Sequence, residues 1–136
     1  MRHANIMLEQ AQIEAELERF CAERRPDGKD LPREVREVLI CIHCNLFDSD
    51  LNVQALKSRC RIRDNNISCR FRYEMGVTIK EYIESLRMDA ARWLLESRGV
   101  GVFDAAQWVG YYHLQTFYRA FQRKFECTPA ACRGKR

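Results

Sequence analysis

The stretch VFDAAQWVGYYHLQTFYRAFQRKFECTPAACR, residues 102–133, decides the fold. Its apolar residues recur with helical rather than strand period. Residues 103–109 read as a short helix, Gly110 as a turn, and residues 114–125 as a second helix in which Phe117, Phe121 and Phe125 return every fourth position. Thr128-Pro129 opens a last helical turn, since threonine caps a helix and proline suits its first position. The chain then runs into the basic tail Arg133-Gly134-Lys135-Arg136. A short helix, a tight turn and an apolar-anchored helix with a polar outer side make a helix–turn–helix unit.

The pattern occurs twice. Ile67, Phe71, Met75 and Thr78 stand fifty residues before Phe117, Phe121, Phe125 and Thr128. The earlier unit has a short helix over 51–58, with Asp48, Ser49 and Asp50 as caps. Its second helix is capped by Asp64 and ends near Met75, where Gly76 suits a left-handed stop. Between the units a longer helix over 78–97 carries Ile79, Ile83, Leu86, Ala90, Trp93, Leu94 and Leu95, a stripe broad enough to face two neighbours. Gly99 and Gly101 end it. Upstream, Pro32 suits the first turn of a helix with Val35, Val38, Leu39, Ile42 and Leu46 on one face. A first helix over about 5–25, with Ile6, Ile13, Leu17 and Phe20 as its stripe, stops at Arg25-Pro26-Asp27-Gly28. The expected fold is all-α: an N-terminal helix (1–25), a linker (26–31), a first helix–turn–helix subdomain (32–77), a linker helix (78–98) and a second helix–turn–helix subdomain (99–136).

Composition narrows the function. The chain has 136 residues and a formal net charge of +4, unevenly spread. Residues 1–50 hold 7 Lys/Arg against 11 Asp/Glu (−4), and residues 51–136 hold 16 against 8 (+8). A basic lobe of this kind attracts polyanions. The longest apolar run, Val38 to Ile42, is five residues, far below the roughly 20 needed to cross a bilayer. The N-terminus carries glutamates where a signal peptide needs an apolar core. The seven cysteines, an odd number, cannot all pair internally, and their positions suit reduced, buried thiols. These features point to a cytoplasmic protein.

The stretch LRMDAARWLL (residues 86–95) resembles the linker-helix signature of the AraC/XylS family of bacterial transcription regulators. Residues 102–133 resemble that family's second helix–turn–helix with its C-terminal Thr-Pro motif, and ISCRFRYEMGVTIKEYI (residues 67–83) the end of its first. The resemblance covers about residues 32–133 and implies sequence-specific binding of double-stranded DNA, with two recognition helices entering successive major grooves about 34 Å apart. The expected base readers of the second unit are His113, Gln115, Tyr118, Arg119 and Gln122, since Arg pairs with guanine and Gln with adenine. Their counterparts in the first unit are Asn65, Ser68, Cys69 and Arg72, shorter and weaker apart from the arginine. Arg59, Arg61, Arg63, Arg70, Arg123 and Lys124 are the expected phosphate contacts. This sequence departs from the family pattern at Lys57, Arg61 and Arg63 in the first unit, where small, glycine and serine residues are usual, and at Glu126 and Cys132 near the end. A left-handed Arg61 costs about 1 kcal/mol relative to glycine. Members of the family often carry a separate ligand-binding domain, and with about 31 residues before the matching region none is expected within this sequence.

Other readings attach to single features. Cys41-Ile42-His43-Cys44 has a Cys-x-x-Cys spacing that a metal or a redox couple could use, but no second pair of ligands completes a site and both cysteines suit an apolar helix that needs a buried face. No metal or other cofactor is expected. The first helix suits packing in cis, homodimerisation, or docking on RNA polymerase or another regulator. Catalytic motifs are absent, with no glycine-rich phosphate loop, no Gly-x-Ser-x-Gly elbow and no His-Glu-x-x-His. The alternatives to a DNA reader are therefore an interaction module whose first unit reads DNA weakly, or a cysteine-based thiol or metal sensor.

Overall fold

The computed structural model describes residues 2–134, with side chains from residue 7 onward. Its helices are α1 (Arg2–Glu23), α2 (Arg33–Asn45), α3 (Val53–Arg59), α4 (Ile67–Met75), α5 (Ile79–Ser97), α6 (Val102–Trp108), α7 (Leu114–Phe125) and α8 (Pro129–Cys132), and no strand occurs among the described residues. Ile6 of the expected first stripe, and Lys135 and Arg136 of the basic tail, lie outside the described side chains.

Local signals set several boundaries. Thr78 caps α5: its Oγ1 accepts the Glu81 N–H at 3.0 Å and its hydroxyl donates to Glu81 Oε1 at 3.1 Å, a reciprocal cap. Gly76 ends α4 at φ 78°. Elsewhere the cap is not the expected residue. Asn52, not the Asp48–Asp50 stretch, caps α3, accepting the Ala55 N–H at 2.8 Å. Asp48 instead closes its own turn, accepting the Asp50 N–H at 2.9 Å. Pro32 stands at the cap position rather than inside α2. Asp64 accepts the Asn66 N–H at 2.8 Å, a turn that precedes α4 and delays its start to Ile67.

Two apolar cores form, one per helix–turn–helix unit, and α5 serves both. Ile79 and Ile83 pack with Val35, Leu39, Ile42, Leu56, Ile67 and Phe71. One and a half turns on, Met88, Ala91, Leu94 and Leu95 pack with Ala105, Val109, Phe117 and Phe121. The broad stripe of α5 thus faces two neighbours in succession, as its sequence implies. Helix α1 packs in cis across both: Leu17 and Phe20 enter the second core and Cys21 the first. The ion pairs Arg24–Asp89 at 3.7 Å and Arg98–Glu16 at 3.5 Å fasten it to α5 and its end. The stripe that would zip a coiled coil is therefore largely spent within the chain.

The two cores meet at Arg87, which sequence reasoning passed over. Its side chain is buried, Nε donating to the Leu46 carbonyl at 2.8 Å and Nη2 to the Asp48 carbonyl at 2.6 Å. The guanidinium lies 5.5 Å from the centre of the Tyr111 ring. Gly110 abuts the same group: at φ 97°, a Cβ there would stand 3.0 Å from the Phe47 carbonyl oxygen and 3.1 Å from Arg87 Cζ. Only glycine fits that turn.

The Cys-x-x-Cys pair does not act as one. Counting about 100° per residue, Cys44 falls opposite the buried stripe of α2, and it is exposed. Cys41 is buried and is joined in a disulfide not to Cys44 but to Cys60 at the end of α3, with Cα atoms 6.4 Å apart. The expectation that both cysteines fill the core, and that the thiols are uniformly free, is corrected on both counts. Pairing needs proximity in space, which helical spacing alone does not supply.

Candidate nucleic-acid interface

The second unit presents its recognition helix as the sequence implies. Phe117 and Phe121 of α7 are fully buried, which leaves Gln115, Arg119 and Gln122 exposed on the opposite side. Tyr118 is half-buried, its ring edge-on to Phe117 at 6.5 Å. His113 is exposed at the cap position of α7 and its side chain makes no capping hydrogen bond, so the first amides of the helix point outward without a side-chain acceptor. Such amides suit a phosphate oxygen.

The first unit is built differently. Ile67 and Phe71 are buried, and Ser68, Cys69 and Arg72 are exposed on the other side of α4. Asn65, however, sits in the turn before α4 and not on the helix. Arg61 takes the left-handed conformation at φ 52°, matching Gly110 of the second unit. From Arg61 to the anchor Ile67 is six residues, one fewer than from Gly110 to Phe117, yet α4 begins only at its anchor whereas α7 begins three residues before its own. That later start alone gives α4 nine residues against twelve in α7.

The expected phosphate contacts fall into two groups. Arg61 and Arg63 are exposed and form no ion pair among the described residues. The other four are engaged within the chain. Arg59 pairs with Asp48 and donates to Asn45 Oδ1 at 3.3 Å. The Asp50 N–H, with Arg59 beside it, holds the Asp48 carboxyl below the usual range. Arg70 pairs with Asp64 at 3.1 Å and lies 3.9 Å from Glu34. Arg123 meets Glu84 at 2.8 Å, and Lys124 reaches Asp89 at 2.7 Å and donates to the Ser85 carbonyl at 2.9 Å. These three contacts tie α7 to α5 and so orient it. Two exposed aromatics beside these faces were not singled out from sequence: Tyr73, 86% exposed on α4, and Tyr112, 72% exposed just before α7. Only the position of Tyr73 one helical turn after Cys69 would have flagged it.

Among the described residues no helix is long and apolar enough to cross a membrane, and no three His, Cys, Asp or Glu side chains converge as metal ligands.

Comparison with known proteins agrees with this architecture. A helix-turn-helix domain family is matched over residues 58–135, more than half of the chain. The regulatory protein SoxS of Salmonella typhimurium is 31% identical over 89 residues, which cover 65% of this chain and 83% of that protein. The xylose operon regulatory protein of Escherichia coli K12 is 35% identical over 68 residues, covering 50% of this chain. An HTH-type transcriptional regulator of Bacillus subtilis, YtdP, is 28% identical over 104 residues, covering 76%. This chain spans only 14% of the Bacillus protein and 17% of the xylose regulator. Among solved structures, the C-terminal domain of the response regulator AraT from Geobacillus stearothermophilus superposes with a TM-score of 0.71 at 24% identity, covering 76% of this chain and 85% of that one, and so shares the fold. Two repeated helix–turn–helix units, a shared linker helix and these matches establish that the chain belongs to the AraC/XylS family of DNA-binding transcription regulators, a family of regulators and not of enzymes.

Proposed function

We propose that the chain reads specific sites on double-stranded DNA by placing α7 and α4 in successive major grooves. The observation that carries this reading is the pair of helix–turn–helix units fixed on one helix, α5, each with buried anchors on one side of its recognition helix and exposed polar side chains on the other. Arg119, Gln115, Gln122, Tyr118 and His113 supply most of the base reading. Ser68, Cys69 and Arg72 read in the first unit, and Asn65 reaches in from its turn. Arg61 and Arg63 meet phosphates directly, while Arg59, Arg70, Arg123 and Lys124 do so by sharing or exchanging their carboxylates. Tyr73 and Tyr112 pack against the sugar–phosphate backbone. The protein works in the cytoplasm, and any contact with RNA polymerase, another regulator or a second copy falls on exposed surface such as Met7 and Leu8 of α1.

The test is selection of sites from a random duplex library, then fluorescence anisotropy on the selected duplex at about 50 mM and about 200 mM salt. Six phosphate contacts predict a fall in affinity of about 10³-fold across that range. Arg119→Ala and Gln115→Ala should each lose about 1–3 kcal/mol and relax preference at one base pair. Unchanged preference in both variants refutes the assignment of α7 as the reader. One observation favours a second reading, an interaction module with weakened DNA reading in the first unit: the late start and short length of α4. Absence of DNA binding at low salt would decide for it.

A further inference from the structure

We propose that Cys41 and Cys60 form a redox-controlled crosslink that locks the turn of the first helix–turn–helix unit, closed by a peroxide-class oxidant and reopened by a dithiol reductant. The Cα separation of 6.4 Å lies inside the range that a disulfide spans without backbone movement. Both residues are held by regular structure. Cys41 is buried within α2, and the N–H of Cys60 caps α3 by donating to the Leu56 carbonyl at 3.0 Å. The pair is therefore preset to close.

The surroundings give the two sulfurs different roles. Cys60 is half-exposed, so its sulfur is the one that a dissolved peroxide can reach. Cys41, buried beside it, suits the resolving thiol. In the first step the Cys60 thiolate attacks one peroxide oxygen. The O–O bond breaks, a sulfenic acid forms, and the departing hydroxide takes up a proton to become water. Next the Cys41 sulfur attacks the Cys60 sulfur: the S–S bond forms, the S–O bond breaks, and the hydroxyl leaves with the Cys41 proton as a second water. Two thiols lose two electrons and one peroxide becomes two waters. A dithiol reopens the bond by exchange, becoming a disulfide itself. Cys127 and Cys132, whose sulfurs lie 3.3 Å apart, belong to the second unit and leave the turn of the first untouched, and Cys21 and Cys44 are less suited. The Cys21 thiol is pushed up to about 11 by burial and donates to the His43 carbonyl at 3.0 Å, and Cys44 has lost its helical partner to Cys60.

The crosslink acts on the strained turn that leads into α4. Arg61, immediately after Cys60, holds φ at 52° where its counterpart is glycine. Tying Cys60 to α2 keeps that turn closed. Once the bond opens, the turn relaxes and α4 loses its fixed placement, so DNA reading falls to the second unit alone. This consequence rests on the DNA-reading function proposed above; the chemistry does not.

The full chain, treated with hydrogen peroxide or with dithiothreitol, is alkylated after unfolding and mapped by mass spectrometry. The oxidised chain should show five alkylated cysteines, at 21, 44, 69, 127 and 132, and a linked Cys41–Cys60 peptide, against seven alkylated cysteines when reduced. Amide exchange over residues 61–75 should be slower in the oxidised form, whether or not DNA binds. On the selected duplex the oxidised form should bind about tenfold tighter, the equivalent of about 1.4 kcal/mol. Cys60→Ser should bind like the reduced chain and ignore peroxide, with its circular dichroism unchanged. Cys127→Ser should keep the full response. Seven alkylated cysteines after peroxide, or a link between other positions, overturns the crosslink. Equal exchange over 61–75 in the two forms overturns its effect on the turn. If neither form binds any duplex while the link and the exchange difference appear, the DNA reading fails and the crosslink stands.

Discussion

Removing the Arg87 guanidinium while keeping its aliphatic stem tests whether the two subdomains are coupled through one side chain. In Arg87→Met the stem still fills its space, but the carbonyls of Leu46 and Asp48 lose their donors at 2.8 and 2.6 Å. A hydrogen bond from a charged donor contributes about 1.5–3 kcal/mol, so the pair contributes about 3–6 kcal/mol. Part of this returns, because the variant no longer carries a charge that burial disfavours, the same burial that lowers the Arg87 pKa from its ordinary value. The expected net loss is about 2–5 kcal/mol. At about 3 °C per kcal/mol for a chain of this size, Tm falls by about 6–15 °C. Differential scanning calorimetry reads both the shift and its shape. Since Arg87 joins the α2–α3 connection to the Gly110–Tyr111 turn, the variant should also melt less cooperatively, with a van't Hoff enthalpy below the calorimetric one. Arg87→Lys should fall between, because one ammonium cannot serve both carbonyls in the fixed geometry of the guanidinium. A single sharp transition within about 2 °C of wild type would refute the coupling, since even a 1 kcal/mol loss moves Tm further.

The remaining expectations follow from other sites. Glu126→Gly relieves a left-handed residue at φ 56° after α7 and should raise stability by about 1 kcal/mol, read as a later midpoint in urea; an earlier midpoint would show that the Glu126 side chain makes a compensating contact. Gly110→Ala meets both a positive φ and a Cβ 3.0 Å from the Phe47 carbonyl oxygen, so it should cost more than 1 kcal/mol and unfold earlier in the same titration. His43 donates from Nδ1 to the Cys21 carbonyl at 2.8 Å and accepts from the Tyr82 hydroxyl at 2.7 Å, and burial lowers its pKa. The unfolded chain then binds a proton near pH 6.5 that the folded chain resists, so stability falls as pH drops through that value. Wild type should lose more stability than His43→Gln between about pH 7.5 and 5.5, and equal losses would contradict the buried neutral imidazole. Phe20→Ala removes the α1 anchor against Trp93, whose ring centre is 6.2 Å away, and should cost about 3–5 kcal/mol with no change in mass by light scattering; a drop in mass would instead make α1 a dimer contact.

The elements best read from the sequence are those fixed by neighbours along the chain. Helix α7 runs over the expected residues because Phe117, Phe121 and Phe125 repeat in register and the Thr128-Pro129 pair follows. Helix α5 starts where Thr78 and Glu81 form a reciprocal cap, three residues apart. The start of α4 was harder, because Asp64 has the chemistry to cap a helix directly and spends it on the turn to Asn66. That choice depends on where Arg61 sends the chain, and its φ of 52° answers to packing rather than to propensity.

Taken alone, the sequence determined that this is an all-helical chain with two helix–turn–helix units and a polar, exposed face on each recognition helix. Those features follow from periodicity and caps, which act over three or four residues. Only the tertiary structure decided which groups meet across 19 to 41 residues: Cys41 with Cys60, Cys21 with His43, and Arg87 with the Leu46 carbonyl. It also showed that Lys124 and Arg123 of the recognition helix are fastened to α5. Such pairings leave no periodic trace in the sequence, because each depends on how helices pack and not on the residues beside it.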